Sequence, residues 1–190
     1  MKALVVYAHP NPASYSNGIL QTVVDALKSK GNEVAVRDLY ATKYNPVLSA
    51  QDLADVYSGK LPKEIADEQT LITNADTIIL IYPLWWTGFP AILKGWIDRT
   101  FTYGFAYKIG EAGIEGLLKG KKALLITAHG TPKEYYEPAG MFKSLLQTQD
   151  KGVFEFSGVE AEHLFFAVMG KEQAEREAFL AEVKAKVESL

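Results

Sequence analysis

The sequence predicts an α/β fold in which one five-stranded parallel sheet, with strand order 2-1-3-4-5, carries helices on both faces. Short apolar runs rich in β-branched residues alternate with amphipathic stretches of helical spacing along the chain, which is the pattern of successive β-α-β units. The third run, residues 78–82, is apolar at every position, as expected of a strand covered on both faces. Right-handed crossovers place helices on either side of the sheet, giving a three-layer sandwich.

Composition restricts the class of protein. The chain has 190 residues, 48% of them hydrophobic, so residues 1–190 are expected to form a single domain. A net charge of -3 gives no basic surface for nucleic acid. The absence of cysteine excludes disulfides and thiol chemistry, and the three histidines lack the spacing of metal ligands. Every apolar run is too short for a membrane span or a signal peptide, so a cytoplasmic protein is expected.

The individual elements follow from periodicity and from the residues that begin or end them. The predicted strands are residues 3–8, 33–39, 78–82, 122–128 and 163–169, and the predicted helices are 19–30, 63–74, 91–102, 141–151 and 171–189. Gly31 follows the first helix as a C-terminal glycine, Pro83 ends the central strand, and Pro90 stands in the first turn of the next helix. The connections at 40–59 and 104–120 are expected to lack regular structure.

The loops after the first, third and fourth strands have unusual composition. In the predicted strand order all three reach one edge of the sheet, beside the point between strands 1 and 3 where the order reverses. Ligands of open α/β sheets bind outside the carboxyl ends of the strands at such a point. These loops are therefore the candidate binding site.

The first loop has two interpretations. Ser14, Ser16 and Asn17 precede a helix, where such side chains cap free backbone N–H groups, and the simpler interpretation is that Ser16 or Asn17 is only the N-cap. The same N–H groups and the helix dipole also form an anion site. His9 is either a structural hydrogen-bonding residue or a donor to a phosphate. The loop has neither a Walker sequence nor the glycine pattern of a dinucleotide site.

The third-strand loop carries two adjacent tryptophans, Trp85 and Trp86. They indicate either stacking on a planar ligand or packing at a subunit interface, and the loop by itself does not decide between these. The fourth-strand loop, from Thr127 to Gly130, is followed by Tyr135 and Tyr136. Taken together, the three loops favour a flat aromatic cofactor that carries a phosphate, a description that flavin mononucleotide (FMN) fits.

The chain resembles the flavodoxin-like NAD(P)H:quinone oxidoreductases. This family includes mammalian quinone reductase and shorter bacterial relatives of the general stress protein 14 and potassium-efflux ancillary subunit types. The most specific part is the Tyr82-Pro83-Leu84-Trp85-Trp86 stretch with Gly88 to Arg99 and Phe105-Ala106-Tyr107. The opening Ala8-His9-Pro10 and the segment Thr127 to Gly130 agree in place. The resemblance covers nearly the whole chain.

The resemblance implies a role for each matching residue. The residues expected at the flavin phosphate and ribityl chain are His9, Ser14, Ser16 and Asn17. Those expected around the isoalloxazine ring are Pro83, Leu84, Trp85, Trp86, Thr127, Ala128, His129, Gly130 and Tyr135. Tyr107 and Thr87 are expected in the nicotinamide and quinone pocket, which the second subunit of a homodimer completes.

Two departures from the family pattern concern catalysis. In the mammalian enzymes a tyrosine and a histidine six residues later handle charge on the reduced flavin. Here the tyrosine is Tyr135 but the second position is Met141, which leaves His129 as the substitute, so Tyr135 and His129 are the expected catalytic residues. Thr87 replaces a bulky aromatic residue, which should widen the pocket.

The implied activity is a ping-pong transfer of two electrons from NADPH or NADH to a quinone or similar acceptor. The short chain favours FMN, with FAD as the alternative because Arg176 lies near a position that contacts the FAD diphosphate in larger relatives. The alternative function is that of a flavin-binding regulatory subunit of a potassium-efflux system, whose partner would be a membrane transporter. A non-enzymatic electron carrier fits less well, since the tryptophan-rich loop and the 104–120 segment indicate a second ligand pocket.

Overall fold

A computed structural model describes residues 1–190 and contains the predicted parallel sheet. Its strands are β1 (Lys2–Tyr7), β2 (Glu33–Asp38), β3 (Thr77–Pro83), β6 (Lys122–His129) and β7 (Glu160–Ala167), and a separate antiparallel hairpin consists of β4 (Tyr107–Gly110) and β5 (Gly113–Gly116). The sheet order is β2-β1-β3-β6-β7, with every pairing parallel. The predicted order 2-1-3-4-5 is confirmed, because β6 and β7 are the fourth and fifth strands of this sheet.

Helices cover both faces of the sheet. They are α1 (Tyr15–Ser29), α2 (Ala50–Tyr57), α3 (Lys63–Asn74), α4 (Ala91–Thr100), α5 (Lys133–Tyr136), α6 (Met141–Leu145) and α7 (Gln173–Glu188). A π-helical segment, Leu146–Phe154, and a 3₁₀ turn, Glu155–Ser157, follow α6 directly. None of these helices combines the length and the apolar character that a membrane crossing requires.

The core consists of two hydrophobic clusters, one on each face of β3. All seven residues of β3 are buried. Ile79 and Ile81 pack in the cluster beneath α1 and α7, whereas Leu80 and Tyr82 pack on the opposite face with Trp96 of α4. The continuous apolar run of the sequence therefore corresponds to a strand covered on both sides.

Helix α1 begins at Tyr15, four residues before the predicted start. The Ser14 side chain accepts a hydrogen bond from the Asn17 N–H at 3.2 Å, so Ser14 is the N-cap of the helix. The polar residues that follow belong to its first turn. Strand β3 also runs one residue further than predicted, because Pro83 keeps the parallel register with Ala128.

Two connections that were expected to be irregular contain regular structure. Helix α2 lies inside the predicted loop 40–59 and begins with a capping box between Ser49 and Asp52. Its buried residue Asp52 forms an ion pair with Arg99 of α4 at 3.1 Å. The segment 104–120 contains the β4–β5 hairpin. Apolar periodicity did not predict these elements, because α2 has a polar surface and the hairpin segment is rich in glycine.

The contact between α4 and the chain before α2 requires a glycine. A methyl group on Gly95 would lie 2.1 Å from the carbonyl oxygen of Pro46, whereas the same group on Gly18 of α1 would meet no atom within 4 Å. The substitution Gly95→Ala is therefore expected to lower the free energy of unfolding by about 2–3 kcal/mol through overpacking. Urea denaturation monitored by circular dichroism measures the change.

Gly18→Ala is the matched control. It exchanges the same atoms in a helix without a clash, so it should raise the free energy of unfolding by about 0.5–1 kcal/mol through helix propensity. Equal effects of the two substitutions would contradict the close contact between Gly95 and Pro46.

Candidate functional site

Three loops meet at the carboxyl edge of the sheet and enclose two adjoining cavities. The smaller, about 220 Å³, is lined by His9, Ser14, Tyr15, Ser16, Pro83, Leu84, Trp85, Ala128, His129, Gly130 and Val168. The larger, about 630 Å³, is lined by Leu84, Trp85, Trp86, Thr87, Gly130, Thr131, Pro132, Tyr136 and Met169. The cavities share Leu84, Trp85 and Gly130, so they are two parts of one depression.

One backbone hydrogen bond holds two of these loops together. The N–H of Leu84, just after β3, donates to the carbonyl of Ala128 near the end of β6 at 2.9 Å. The two strands are already paired up to Pro83 and Ala128. The loop backbones on both sides of the shared wall are therefore fixed by the sheet itself.

The first-turn end of α1 forms the far wall of the smaller cavity. The N–H groups of Tyr15 and Ser16 lie in the first turn, where an α-helix leaves its N–H groups without intrahelical partners. The Ser16 side chain lines the cavity, while Ser14 caps the Asn17 N–H. The N-cap is therefore Ser14, and the prediction of Ser16 or Asn17 as the cap is wrong. Asn17 lines neither cavity.

His9 is held in its neutral form at the edge of the same cavity. Its Nδ1 accepts a hydrogen bond from the Asn11 N–H at 3.0 Å, so the ring proton is on Nε2. Partial burial lowers the pKa of His9 below its ordinary value. Its ring centroid lies 6.0 Å from that of Trp85. Nε2–H is thus the hydrogen-bond donor that His9 can offer to a ligand.

The tryptophan loop is a tight two-residue hairpin in a strained conformation. The N–H of Gly88 donates to the carbonyl of Trp85 at 3.0 Å, and the reverse bond is 3.3 Å. The central residues, Trp86 and Thr87, both have positive φ, 50° and 57°, the geometry of a type I′ turn, which Asn-Gly normally adopts. A β-branched threonine is a genuine outlier there. The turn leaves the Trp86 side chain fully exposed beside the larger cavity.

His129 is buried in the third wall and stacks on a tyrosine. Its Nδ1 lies 2.8 Å from the carbonyl oxygen of Thr131, which can only accept, so Nδ1 carries the proton and Nε2 is free to accept. Burial lowers the pKa of His129, with the hydrogen bond to Thr131 acting in the opposite direction. The Tyr136 ring lies 5.3 Å from the imidazole, nearly parallel to it.

The two neighbouring tyrosines of α5 lie in different surroundings. Tyr136 lines the larger cavity, whereas Tyr135 is 69% exposed and lines neither cavity. Met141 is likewise outside both cavities. Of the two phenols in the fourth-strand loop, Tyr136 is the one whose ring reaches the site.

Two other predicted residues also lie apart from the cavities. Thr127 is fully buried one residue before the lining residue Ala128. Tyr107 begins the hairpin and contacts Tyr103 and Phe156.

Several residues that line the cavities are not among the predicted site residues: Tyr15, Thr131, Pro132, Tyr136, Val168 and Met169. Val168 and Met169 follow β7, whose carboxyl end lies at the same edge because the sheet is parallel, and this rule could have identified them.

Comparison with known proteins agrees with the fold. A family model described as flavodoxin-like fold matches residues 1–190. A protein of Haemophilus influenzae named as an uncharacterized NAD(P)H oxidoreductase is 39% identical over 84% of this chain and 80% of its own. The human ribosyldihydronicotinamide dehydrogenase [quinone] is 34% identical over 95% and 87% of the two chains.

Comparison with solved structures indicates the same fold. The NAD(P)H:quinone oxidoreductase from Methanothermobacter marburgensis superposes with a TM-score of 0.87 and 28% identity, covering 100% of this chain and 96% of that one. The likeness thus extends over the whole length of this chain. The chain belongs to the flavodoxin-like NAD(P)H:quinone oxidoreductase family and is an oxidoreductase.

Proposed function

We propose that this protein is an FMN-dependent NAD(P)H oxidoreductase that passes two electrons to a quinone or similar acceptor in a ping-pong reaction. The observation that carries the proposal is the two-part depression at the carboxyl edge. One part ends at a helix N-terminus suited to a phosphate, and the other is bounded by aromatic and apolar side chains. The names of the relatives, NAD(P)H oxidoreductase and quinone dehydrogenase, support the same activity.

The chemistry of the smaller cavity fits the phosphate end of FMN. First-turn N–H groups of a 15-residue helix and its dipole favour an anion. The Ser16 hydroxyl and the Nε2–H of His9 are donors in the same wall. No ionised carboxylate lines this cavity, so nothing there repels a phosphate.

The shared wall fits a flat ring system. Pro83, Leu84 and Ala128 present backbone and apolar side chains at positions fixed by the sheet. Gly130 has open space beside it, where an added Cβ would meet only the Met169 methyl group at 3.6 Å. When bound there, FMN supplies the capacity to accept two electrons from a nicotinamide and return them to a quinone.

The larger cavity is where the nicotinamide and the acceptor bind in turn. Trp85, Trp86, Tyr136 and Met169 are the large side chains of its wall, and they offer apolar and aromatic surface to a ligand that lies between them. Because both substrates use the same opening, the oxidised nicotinamide leaves before the acceptor binds. This alternation gives the ping-pong kinetic form.

The surroundings of Arg176 favour FMN over FAD. Its guanidinium donates to the carbonyls of Lys171 at 3.2 Å and Val168 at 3.4 Å, so two of its donors are directed at the chain. Tyr15 lines the cavity, and its hydroxyl donates to the Arg176 carbonyl at 2.7 Å. Arg176 itself does not line either cavity, whereas the N-terminus of α1 does.

Anaerobic spectroscopy tests the proposed function. Protein reconstituted with FMN should lose the visible flavin absorbance on addition of one equivalent of NADPH or NADH, and menadione should restore it. A bound flavin that neither nicotinamide reduces would contradict the enzymatic proposal. Failure to bind FMN or FAD at all would contradict the assignment of the cavities.

The role that the resemblance gives to Tyr135 is assigned here to Tyr136. Its ring lines the larger cavity and stacks on the neutral imidazole of His129, so its hydroxyl can donate to charge that develops on the bound ligands. Tyr136→Phe should therefore lower kcat/KM about tenfold or more, the effect of removing one aligned donor.

Tyr135→Phe is the matched control and should change kcat/KM less than about twofold, since an exposed side chain contributes little. Steady-state kinetics with NADPH and menadione measures both variants. A larger loss in the Tyr135 variant would show that Tyr135, and not Tyr136, is the catalytic phenol.

The exposed face of the β4–β5 hairpin supports a homodimer. Ile109 and Ile114 are paired across the hairpin on one face and are 70% and 62% exposed. Tyr107 lies on the same face two residues earlier and contacts Tyr103, which stacks on the exposed Tyr57 of α2. Contiguous exposed apolar surface of this kind marks an interaction site. In the dimer, Tyr107 of each subunit would complete the substrate pocket of the other.

Sedimentation velocity tests this interface. The wild type should sediment as a species of twice 21.0 kDa, and Ile114→Lys should shift it towards the monomer because a charge is then desolvated in the interface. Glu111→Lys, at the exposed tip of the same hairpin, should leave the dimer intact. A wild-type monomer at micromolar concentration would contradict the homodimer.

A further inference from the structure

A buried hydrogen-bond network lies directly behind the cavity wall, and neither cavity includes any of its members. We call it the Asp150 network; it consists of Tyr82, Thr127, Gln149, Asp150 and His163. Tyr82, Thr127, Gln149 and Asp150 are at most 3% exposed, and the His163 side chain has no exposed surface. Polar groups as buried as these are costly to leave without partners, so their arrangement is fixed by their hydrogen bonds.

The protons of the network can be assigned from its chemistry. His163 Nδ1 lies 2.9 Å from a carboxylate oxygen of Asp150, so Nδ1 carries a proton. Burial lowers the pKa of His163, although Asp150 acts in the opposite direction, and the imidazole is neutral at pH 7. Nε2 is then an acceptor. The hydroxyl of Thr127 lies 3.3 Å from it and 3.4 Å from the carbonyl oxygen of Leu164, and its proton can be donated to either atom.

The second branch of the network reaches the neighbouring strand. The hydroxyl of Tyr82 donates to Oε1 of Gln149 at 2.5 Å. Burial, together with the charge of Asp150, raises the pKa of Tyr82 well above its ordinary value, so this hydroxyl remains a donor. Gln149 and Asp150 are consecutive, yet both point into the core from the π-helical segment. Such segments are rare and occur frequently at functional sites.

The network therefore connects one π-helical turn to the carboxyl ends of β3 and β6 and to the middle of β7. Tyr82 immediately precedes Pro83, and Thr127 immediately precedes Ala128, two residues of the cavity wall. Between these two positions runs the hydrogen bond from the Leu84 N–H to the Ala128 carbonyl. A shift of either strand end would move the wall against which a flat ligand lies.

We propose that the Asp150 network positions the flavin: Asp150 and His163, acting through Thr127, fix the backbone of β6 at the cavity wall, and Gln149, from the same π-helical turn, fixes β3 through Tyr82. This proposal rests on the proposed function for the identity of the ligand. The effect of the network on the backbone of the cavity wall does not require the cofactor, so it can be measured in the protein without FMN.

The test compares two buried threonines, one inside the Asp150 network and one outside it. Thr127→Val removes the hydroxyl of the network while keeping the shape of the side chain, and it takes away the hydroxyl that lies beside Nε2 of His163. Thr100→Val makes the same exchange at a fully buried threonine that lies outside the network. Thr127→Ser restores the hydroxyl and serves as the conservative variant.

The first readout is amide hydrogen exchange in the protein without cofactor, followed by NMR. Thr127→Val should speed the exchange of the Leu84 N–H about tenfold, the ratio expected when one buried hydrogen bond is lost near an opening segment. His163→Gln should have an effect in the same direction. Thr127→Ser and Thr100→Val should leave this exchange rate within about twofold of the wild type.

The second readout is the dissociation constant of FMN, from quenching of flavin fluorescence. It should rise about fivefold or more in Thr127→Val and stay within about twofold in Thr127→Ser and Thr100→Val. Unchanged Leu84 exchange in Thr127→Val, or an equal change in Thr100→Val, would overturn the positioning role. A wild type that binds no FMN would overturn the proposed function, and the exchange comparison would then decide the positioning role by itself.

Discussion

The structure depends on the complete burial of β3 between β1 and β6. Every residue of this strand is covered, and its side chains alternate between the two hydrophobic clusters. A one-residue change of register would exchange those faces, so the position of the strand end is determined by the core. The hydrogen bond from Leu84 to Ala128 then continues the pairing beyond the strand. A rigid core thereby sets the geometry of the wall at which we propose that the cofactor binds.

The rigid sheet holds the tryptophan turn in a strained conformation. Two consecutive non-glycine residues with positive φ cost free energy that the sheet and the Trp85–Gly88 hydrogen bonds must offset. The result is an indole side chain held away from the core at the opening of the larger cavity. Backbone strain of this kind is common at binding sites, where the position of a side chain matters more than local stability.

The sequence was sufficient for the sheet and for the convergence of three loops at its carboxyl edge, because both follow from local patterns. The apolar runs predicted the strands, and the carboxyl-edge rule predicted which loops converge. Helix α2 was missed because its one buried residue is Asp52, whose partner Arg99 lies 47 residues away. An ion pair between residues so far apart in the chain leaves no periodic signal. The hairpin face carrying Ile109 and Ile114 was missed because that segment is rich in glycine.

The choice between Tyr135 and Tyr136 illustrates a second limit. Adjacent residues on a short helix point in different directions, and the phase of α5 is set by the stacking of Tyr136 on His129. Nothing in the local sequence fixes that phase. The Asp150 network was equally invisible, since its members come from four separate elements and meet only after the sheet has formed. What the sequence missed are therefore tertiary contacts between polar and aromatic side chains.

A crystal structure of the protein with FMN tests the central claim most directly, namely that the carboxyl edge of the sheet is the cofactor site. The account predicts the phosphate at the first turn of α1 beside Ser16, and the ring against the backbone of Leu84 and Ala128. Ordered FMN at the opposite end of the sheet, in the groove that Lys2 and Glu33 help to line, would contradict it.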